Sequence, residues 1–220
     1  MAEIIPTVVP SSLDDIAAAR ARYGSLTPAL HIDVTDGVFA PKKTWSIRPG
    51  EKLPDATVAR YEVHLMVENP LQMGMMFAHA GARSIIGHVE SFSNAECARE
   101  AIDMWQKAGA RETGIAVLLS TPLQELIMYS RICDFVHVMT VETIGAQGAP
   151  FDERSLDRIV QLHERFPSLT ISVDGGGNAS TISQLAAKGA TRFCVGSALS
   201  KAKDPAKEFA RLSEAVLVGA

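Results

Sequence analysis

Short apolar runs alternate with helix-period stretches along the whole chain. The runs fall at 4–9, 29–34, 60–66, 84–88, 112–119, 135–141, 170–173 and 192–195. Most are rich in Val and Ile, and several are apolar almost throughout, the pattern of strands buried on both faces. The segments between them carry helix punctuation. Ser12-Leu13-Asp14-Asp15 opens one helix, and Asn69-Pro70 starts another with proline in its first turn. Asn94 precedes a long helix that ends at Ala108-Gly109, where glycine suits the C-terminal cap, and Lys188-Gly189 closes a later one in the same way. Asp204-Pro205 begins the last helix, with Phe209, Leu212, Val216 and Leu217 on its apolar face. One stretch breaks the alternation: 35–59 is rich in Pro, Gly and Lys and is expected to hold at most a short helix. Loops of that length in a compact domain are usually functional.

Eight strand–helix units in 220 residues leave about 27 residues each, a compact version of the (β/α)8 barrel. A doubly wound open sheet would carry a glycine-rich turn directly after its first strand, and Val9-Pro10-Ser11-Ser12 has no glycine. The expected fold is therefore an α/β TIM barrel, one domain spanning 1–220.

Composition narrows the function classes. The chain is 47% hydrophobic and 21% charged, suited to a globular core, and no window approaches the ~20 apolar residues of a membrane span. The start, MAEIIPTVV, lacks the basic stretch and apolar core of a secretory signal. A net charge of −4 without a long basic run gives no electrostatic invitation to nucleic acid. A soluble, cytoplasmic protein with neither nucleic acid nor membrane as partner is expected. Cys97, Cys133 and Cys194 contain no C-x-x-C pair; Cys133 and Cys194 read as small buried hydrophobes, with no disulfide and no cysteine metal cluster.

Active sites of such barrels lie at the C-terminal ends of the strands. His31 and Asp33 are two apart near the end of the second run and so share a face. His64 ends the third, with Met66 next on its face, and Asp174 ends the seventh. Strands two and seven are three steps apart around a ring of eight, which places Asp33 and Asp174 across the mouth from each other. Each residue alone reads equally well as a loop cap or a hydrogen-bonded core group. Together they make a two-imidazole, two-carboxylate set for one divalent metal ion: Zn, Fe(II), Mn or Co. Asp174-Gly175-Gly176-Gly177-Asn178 and Val195-Gly196-Ser197 lead directly from strands seven and eight into helices. Glycines there let backbone N–H groups reach an anion, and phosphate usually binds after these two strands.

The segments HIDVTDGVFAP, YEVHLMVENP, VDGGG and VGSAL resemble, in order, the signature segments of the ribulose-phosphate 3-epimerase family. The HxD-xx-DG and VHLMV segments are specific, whereas the DGG and GS turns occur in many phosphate-binding barrels. The resemblance implies metal ligands at His31, Asp33, His64 and Asp174 and an acid–base pair at Asp33 and Asp174. It puts phosphate-binding backbone at Gly175, Gly176, Gly196 and Ser197, and methionines packed beside the metal at Met66 and Met139. It further implies a place in the pentose phosphate pathway and assembly as a dimer or hexamer.

Three departures bear on the substrate. The serine that ends the family's PSxLS segment is replaced by Pro10, which has no hydrogen bond to donate. Thr35 stands where the family has methionine, making the metal's surroundings more polar. The family's PGFGGQ loop after strand six becomes 143–151, where Gly145, Gln147 and Gly148 keep part of its character. Gly145 and Gly148 are the candidates there for binding substrate. The expected activity is epimerisation of D-ribulose 5-phosphate and D-xylulose 5-phosphate through a metal-stabilised enediolate. The alternatives are another ketose phosphate, such as allulose 6-phosphate, or a non-catalytic phosphosugar-binding barrel. A phosphate-barrel decarboxylase would resemble D-x-K-x-x-D on strand three, which His64-Leu65-Met66 does not supply. His137, two residues before Met139, reads as a satisfied interior histidine or a substrate contact. His88 and Glu90 line the mouth or bond a loop, His79 and His163 face solvent, and Lys42 and Lys43 form a surface pair or reach a phosphate.

Overall fold

The computed structural model describes residues 2–219. Eight parallel strands close into a barrel in sequence order: β1 (Glu3–Val8), β2 (Ala29–Thr35), β3 (Arg60–Met66), β4 (Ser84–His88), β5 (Glu112–Val117), β6 (Phe135–Met139), β7 (Thr170–Asp174) and β8 (Arg192–Val195). Helices α1 (Leu13–Tyr23), α2 (Pro70–His79), α3 (Ala95–Ala108), α4 (Leu126–Tyr129), α5 (Arg154–Arg165) and α6 (Ala179–Ala187) follow β1, β3, β4, β5, β6 and β7, and both α7 (Ser197–Ser200) and α8 (Pro205–Gly219) follow β8. This is the TIM barrel expected from the alternation of apolar runs. Helix starts also follow the sequence. The Ser12 hydroxyl accepts from Asp15 N–H while the Asp15 carboxylate accepts from Ser12 N–H, a reciprocal cap. Asn94 caps α3 through the N–H groups of Glu96 and Cys97.

Several boundaries differ from the sequence pattern. β1, β5 and β6 stop one or two residues before their apolar runs do, because the last apolar residues pack in the mouth loops: Val141 is buried beside Met66 and Met139. β2 and β7 instead extend to Thr35 and Asp174. No helix forms within 35–59. Asp36 organises its start, accepting N–H bonds from Val38, Phe39 and Glu68, and bridges in antiparallel fashion to Lys43. In α8 the buried positions are Leu212 and Val216, four apart on one face, whereas Leu217, about 100° further round, is 78% exposed and lies outside the apolar face. No helix among the described residues is long and apolar enough to cross a membrane.

Strand register positions the site. On β2 and β3, His31 is level with Glu62 and Asp33 with His64. Across β6, β7 and β8, His137 is level with Ser172, and Met139 with Asp174 and in turn Cys194. Most of the apolar core packs between barrel and helices. The barrel's inside is filled largely by polar side chains.

Candidate active site

His31, Asp33, His64 and Asp174 meet at the C-terminal mouth, all buried. Asp33 Oδ1 lies 3.2 Å from both His31 Nε2 and His64 Nδ1, and Asp174 Oδ2 lies 3.9 Å from His64 Nδ1. His64 thus stands between the two carboxylates.

The groups behind these four fix which ring nitrogens carry protons. His31 Nδ1 is 2.7 Å from Glu62 Oε1, and Arg192 holds Glu62 at 2.9 Å while its other nitrogen reaches Glu112 at 2.9 Å. Burial pushes against ionisation of Glu62, but His31 and Arg192 hold its carboxyl below the usual range. An ionised Glu62 can only accept, so His31 donates from Nδ1. His64 Nε2 is 2.9 Å from His88 Nε2, whose Nδ1 is 3.0 Å from Glu90 Oε2. Glu90, also held below its usual range against the effect of burial by His88, Thr121 and the Leu118 N–H, is likewise an acceptor. With His88 donating to Glu90 from Nδ1 and accepting at Nε2, His64 donates from Nε2 and presents its Nδ1 lone pair toward Asp33.

Neutral His31 and His64 therefore aim two lone pairs at one carboxylate. His31 Nε2 is buried and is not aligned for a hydrogen bond with Asp33 despite their 3.2 Å separation. Lone pairs converging on a carboxylate need a cation among them, and the donor types suit a divalent transition metal. The residues fit such an ion. Without it a proton takes the cation's place: burial disfavours a charged His31, but Cys194 first, then Asp33 and Glu62, outweigh this and hold its pKa well above the usual value. Cys194 Sγ lies 3.3 Å from His31 Nδ1, and burial pushes its own thiol up to about 12. Cys194 thus touches the polar network; it is buried as expected, but not among apolar groups alone.

The two carboxyls are driven apart. Burial would raise Asp33, but His31 and His64 hold it far below the usual carboxylate range. Burial and then the charge of Asp33 push Asp174 up to about 7. Burial, with the other histidines as a smaller cause, lowers His64 to about 4.

A cleft opens above these groups, lined by Asp33, Asp174, Met66, Met139 and the loops after β6, β7 and β8. Gly175, Gly176, Gly196 and Ser197 all line it. Gly176 has φ 61° and sits so close to the following loop that a Cβ there would lie 2.7 Å from Phe151 Cα. Glycine alone meets both demands. The Thr140 hydroxyl fastens this turn by donating to Gly175 O at 2.6 Å. The loop at 143–151 crosses the mouth, placing Gly145 and Gly148 in the lining, and Gln147 Nε2 donates to Thr7 O at 3.0 Å.

Two sequence expectations need correction. Pro10 lies beyond the end of β1 and outside the cleft; the β1 residue that faces it is Thr7, whose buried hydroxyl has no partner. Thr35 does not make the metal's surroundings more polar, because its hydroxyl donates away from the cleft to Lys42 O. Lys42 and Lys43 are exposed, as are His79 and His163. Sequence reading missed Glu62, Arg192, Ser172 and Thr7. The alternation E-x-H at 62–64 was the available signal for Glu62, since it puts both side chains on one face.

A sequence profile described as the ribulose-phosphate 3 epimerase family matches residues 9–200. The chain is 32% identical over 225 residues to "Ribulose-phosphate 3-epimerase, cytoplasmic isoform" of Oryza sativa subsp. japonica, covering 98% of this chain and 94% of that protein. It is 31% identical over 214 residues to "Ribulose-phosphate 3-epimerase" of Mycobacterium tuberculosis, covering 94% and 91%. Among solved structures, 3-keto-L-gulonate-6-phosphate decarboxylase from Vibrio cholerae superposes with a TM-score of 0.70 at 15% identity, covering 98% of each chain. 3-Hexulose-6-phosphate synthase from Salmonella typhimurium gives 0.68 at 15% identity, covering 100% of each. At that identity the two structures speak for the fold alone.

Proposed function

The chain belongs to the ribulose-phosphate 3-epimerase family of carbohydrate isomerases, and we propose that it interconverts D-ribulose 5-phosphate and D-xylulose 5-phosphate at the cleft between Asp33 and Asp174. The observation that carries this reading is the placement of two carboxyls, Asp33 and Asp174, on either side of His64 in the lining of one cleft. Epimerisation beside a ketone removes the C3 proton from one face and returns one to the other. Asp33 takes the proton from C3, leaving an enediolate, and Asp174 delivers its own to the opposite face. The reverse reaction exchanges the roles.

Other residues of the chain orient and hold. Backbone N–H groups after β7 and β8, around Gly176 and Ser197, hold the phosphate, fixing C3 between the acids. Met66 and Met139 wall the reacting end with apolar surface. His31, Asp33, His64 and Asp174 would hold one divalent ion, whose contribution when bound is Lewis-acid stabilisation of the negative charge developing on the ketone oxygen. A cytoplasmic place of action, supported by the rice relative's printed designation, and assembly as a homo-oligomer, supported by the family resemblance, belong to the same reading.

A second reading keeps the chemistry and changes the sugar to another ketose phosphate, such as D-allulose 6-phosphate. It rests on one observation: the lining contributed by Ile144, Ala146 and Ala149 of the β6 loop, where the sequence departs most from the family pattern. With Pro10 outside the cleft and the Thr35 hydroxyl turned away, the loop is the main departure left that touches the substrate space, and ribulose 5-phosphate is favoured.

The test is an NMR assay of metal-reconstituted protein with D-ribulose 5-phosphate in deuterated water. Deuterium at C3 together with xylulose 5-phosphate is expected. No exchange with metal verified as bound, but exchange in D-allulose 6-phosphate, would transfer the assignment to the second sugar. No exchange in either would leave a binding barrel without turnover.

A further inference from the structure

One buried group in this site has no part in the reaction as described. His137 is on β6, two residues deeper in the barrel than Met139, and fully buried. Its Nδ1 lies 2.9 Å from Ser172 Oγ, level with it on β7. Among the described residues its Nε2 has no hydrogen-bond partner. The ring stacks on His31, with centroids 5.3 Å apart and planes 15° from parallel, and meets His64 edge-on at 4.7 Å. One donor atom each from His31, His64, His137 and Asp174 lie within 4.8 Å of one another.

We propose that His137 Nε2 is a fifth protein donor to the metal ion, joining His31, His64, Asp33 and Asp174. The proposal rests on the reading of the cleft as a divalent metal site and adds a ligand to it.

Three observations support it. First, Nδ1 is paired with the Ser172 hydroxyl, which can accept from Nδ1–H, and in that tautomer Nε2 keeps its lone pair. Second, an interior position among His31 and His64 gives Nε2 no other acceptor or donor, so a purely structural role would leave a buried polar atom unpaired. Third, four of the five donors, those of His31, His64, His137 and Asp174, already lie nearly as close as one ion requires. Two ligands on opposite sides of an ion, each at ~2.1 Å, are about 4.2 Å apart, so inward movement of a few tenths of an ångström is enough. Three imidazoles with two carboxylates also narrow the metal class toward Fe(II), Co and Zn and away from Mg, which prefers an all-oxygen shell. Approach from inside the barrel leaves the cleft side of the ion to the substrate.

The test is Co(II) loading of the metal-free wild-type protein, read by proton NMR. Each histidine bound through one nitrogen keeps a buried N–H on the other, which the paramagnetic ion shifts. Three shifted ring N–H signals are expected, from His31, His64 and His137, and two in His137→Leu. Competition with a chelator should show Co(II) affinity falling at least about 10- to 100-fold in that variant. Two signals in the wild type would overturn the assignment of His137 while leaving the metal site standing, and they decide the matter even where His137→Leu fails to fold. Unchanged affinity in a folded His137→Leu would overturn it as well. A wild-type protein that takes up no Co(II) would overturn both the ligand and the metal reading on which it rests.

Discussion

Glu62 Oε1 lies 2.7 Å from His31 Nδ1, on the residue of β3 that β2 register sets level with it. The contact makes a carboxylate–histidine pair whose free Nε2 faces the centre of the barrel mouth. Arg192 on β8 holds the other Glu62 oxygen at 2.9 Å, so the histidine's orientation is set from across the barrel. Outer partners of this kind typically change metal affinity 10- to 100-fold when removed. Glu62→Gln is therefore expected to lower Co(II) or Zn(II) affinity by about that factor in a chelator competition titration, with the barrel still folded. An affinity within twofold of wild type would show that Glu62 only supports Arg192.

The same pair makes metal binding a proton exchange. His31 carries a proton in the metal-free protein, with a pKa well above the usual histidine value, and must lose it to use Nε2 as a ligand. Metal affinity should then rise with pH through and beyond neutrality, where an ordinary histidine would already be deprotonated. Calorimetric titrations in buffers of different ionisation enthalpy would count the protons. Release of about one or more per ion at pH 7 is expected, and none would place the proton elsewhere.

Asp174 makes a prediction about stability. Its folded pKa is raised to about 7, from the ordinary 3.8, by burial and by Asp33. Below the unfolded value both states are protonated and Asp174 costs nothing. As pH rises the unfolded state ionises first, and the folded state loses stability until pH passes about 7, after which the loss is constant. Asp174→Asn removes that loss. In the metal-free state it should stabilise the protein by on the order of 2–4 kcal/mol at pH 8, with the gain shrinking toward zero near pH 4. The figure is an upper range because the side chain keeps 12% exposure. Denaturant unfolding at the two pH values measures it. The variant should also lose turnover, since no acid remains on that face; higher stability with lost activity is the mark of a strained catalytic group.

Much of this site is legible in the sequence because its main elements have short-range signatures. Strands buried on both faces read as apolar runs, and the HxD spacing commits His31 and Asp33 to one face once the run is a strand. What the chain does not announce is level. Whether His137 and His88 reach the axis depends on the stagger of β6 against β7 and of β3 against β4, which no local pattern encodes. Pro10 and Thr7 show the same gap at smaller scale. Both are near the end of β1, but only Thr7 is within the strand and on its inward face. Arg192, at the start of β8, reads as a solvent-facing charge until Glu62 and Glu112 are found opposite it.

Gln147 ties the β6 loop to the far side of the mouth. Its amide donates to Thr7 O at 3.0 Å and its carbonyl receives the Ser200 hydroxyl at 3.4 Å, spanning β1 and α7. Between these anchors the loop lines the cleft with Ile144, Gly145 and Ala146. Gln147 is itself exposed, so Gln147→Ala should leave thermal stability within about 0.5 kcal/mol of wild type. The chemistry at Asp33 and Asp174 lies below the loop, and the phosphate turns after β7 and β8 keep their backbone. The loss should therefore fall on substrate retention, raising KM for D-ribulose 5-phosphate about 5- to 20-fold with kcat changed less, the pattern of weakened uniform binding. A kcat that drops in proportion while KM holds would instead assign the loop a part in the transition state, and would move Gln147 from a tether to a group that positions the reacting carbon.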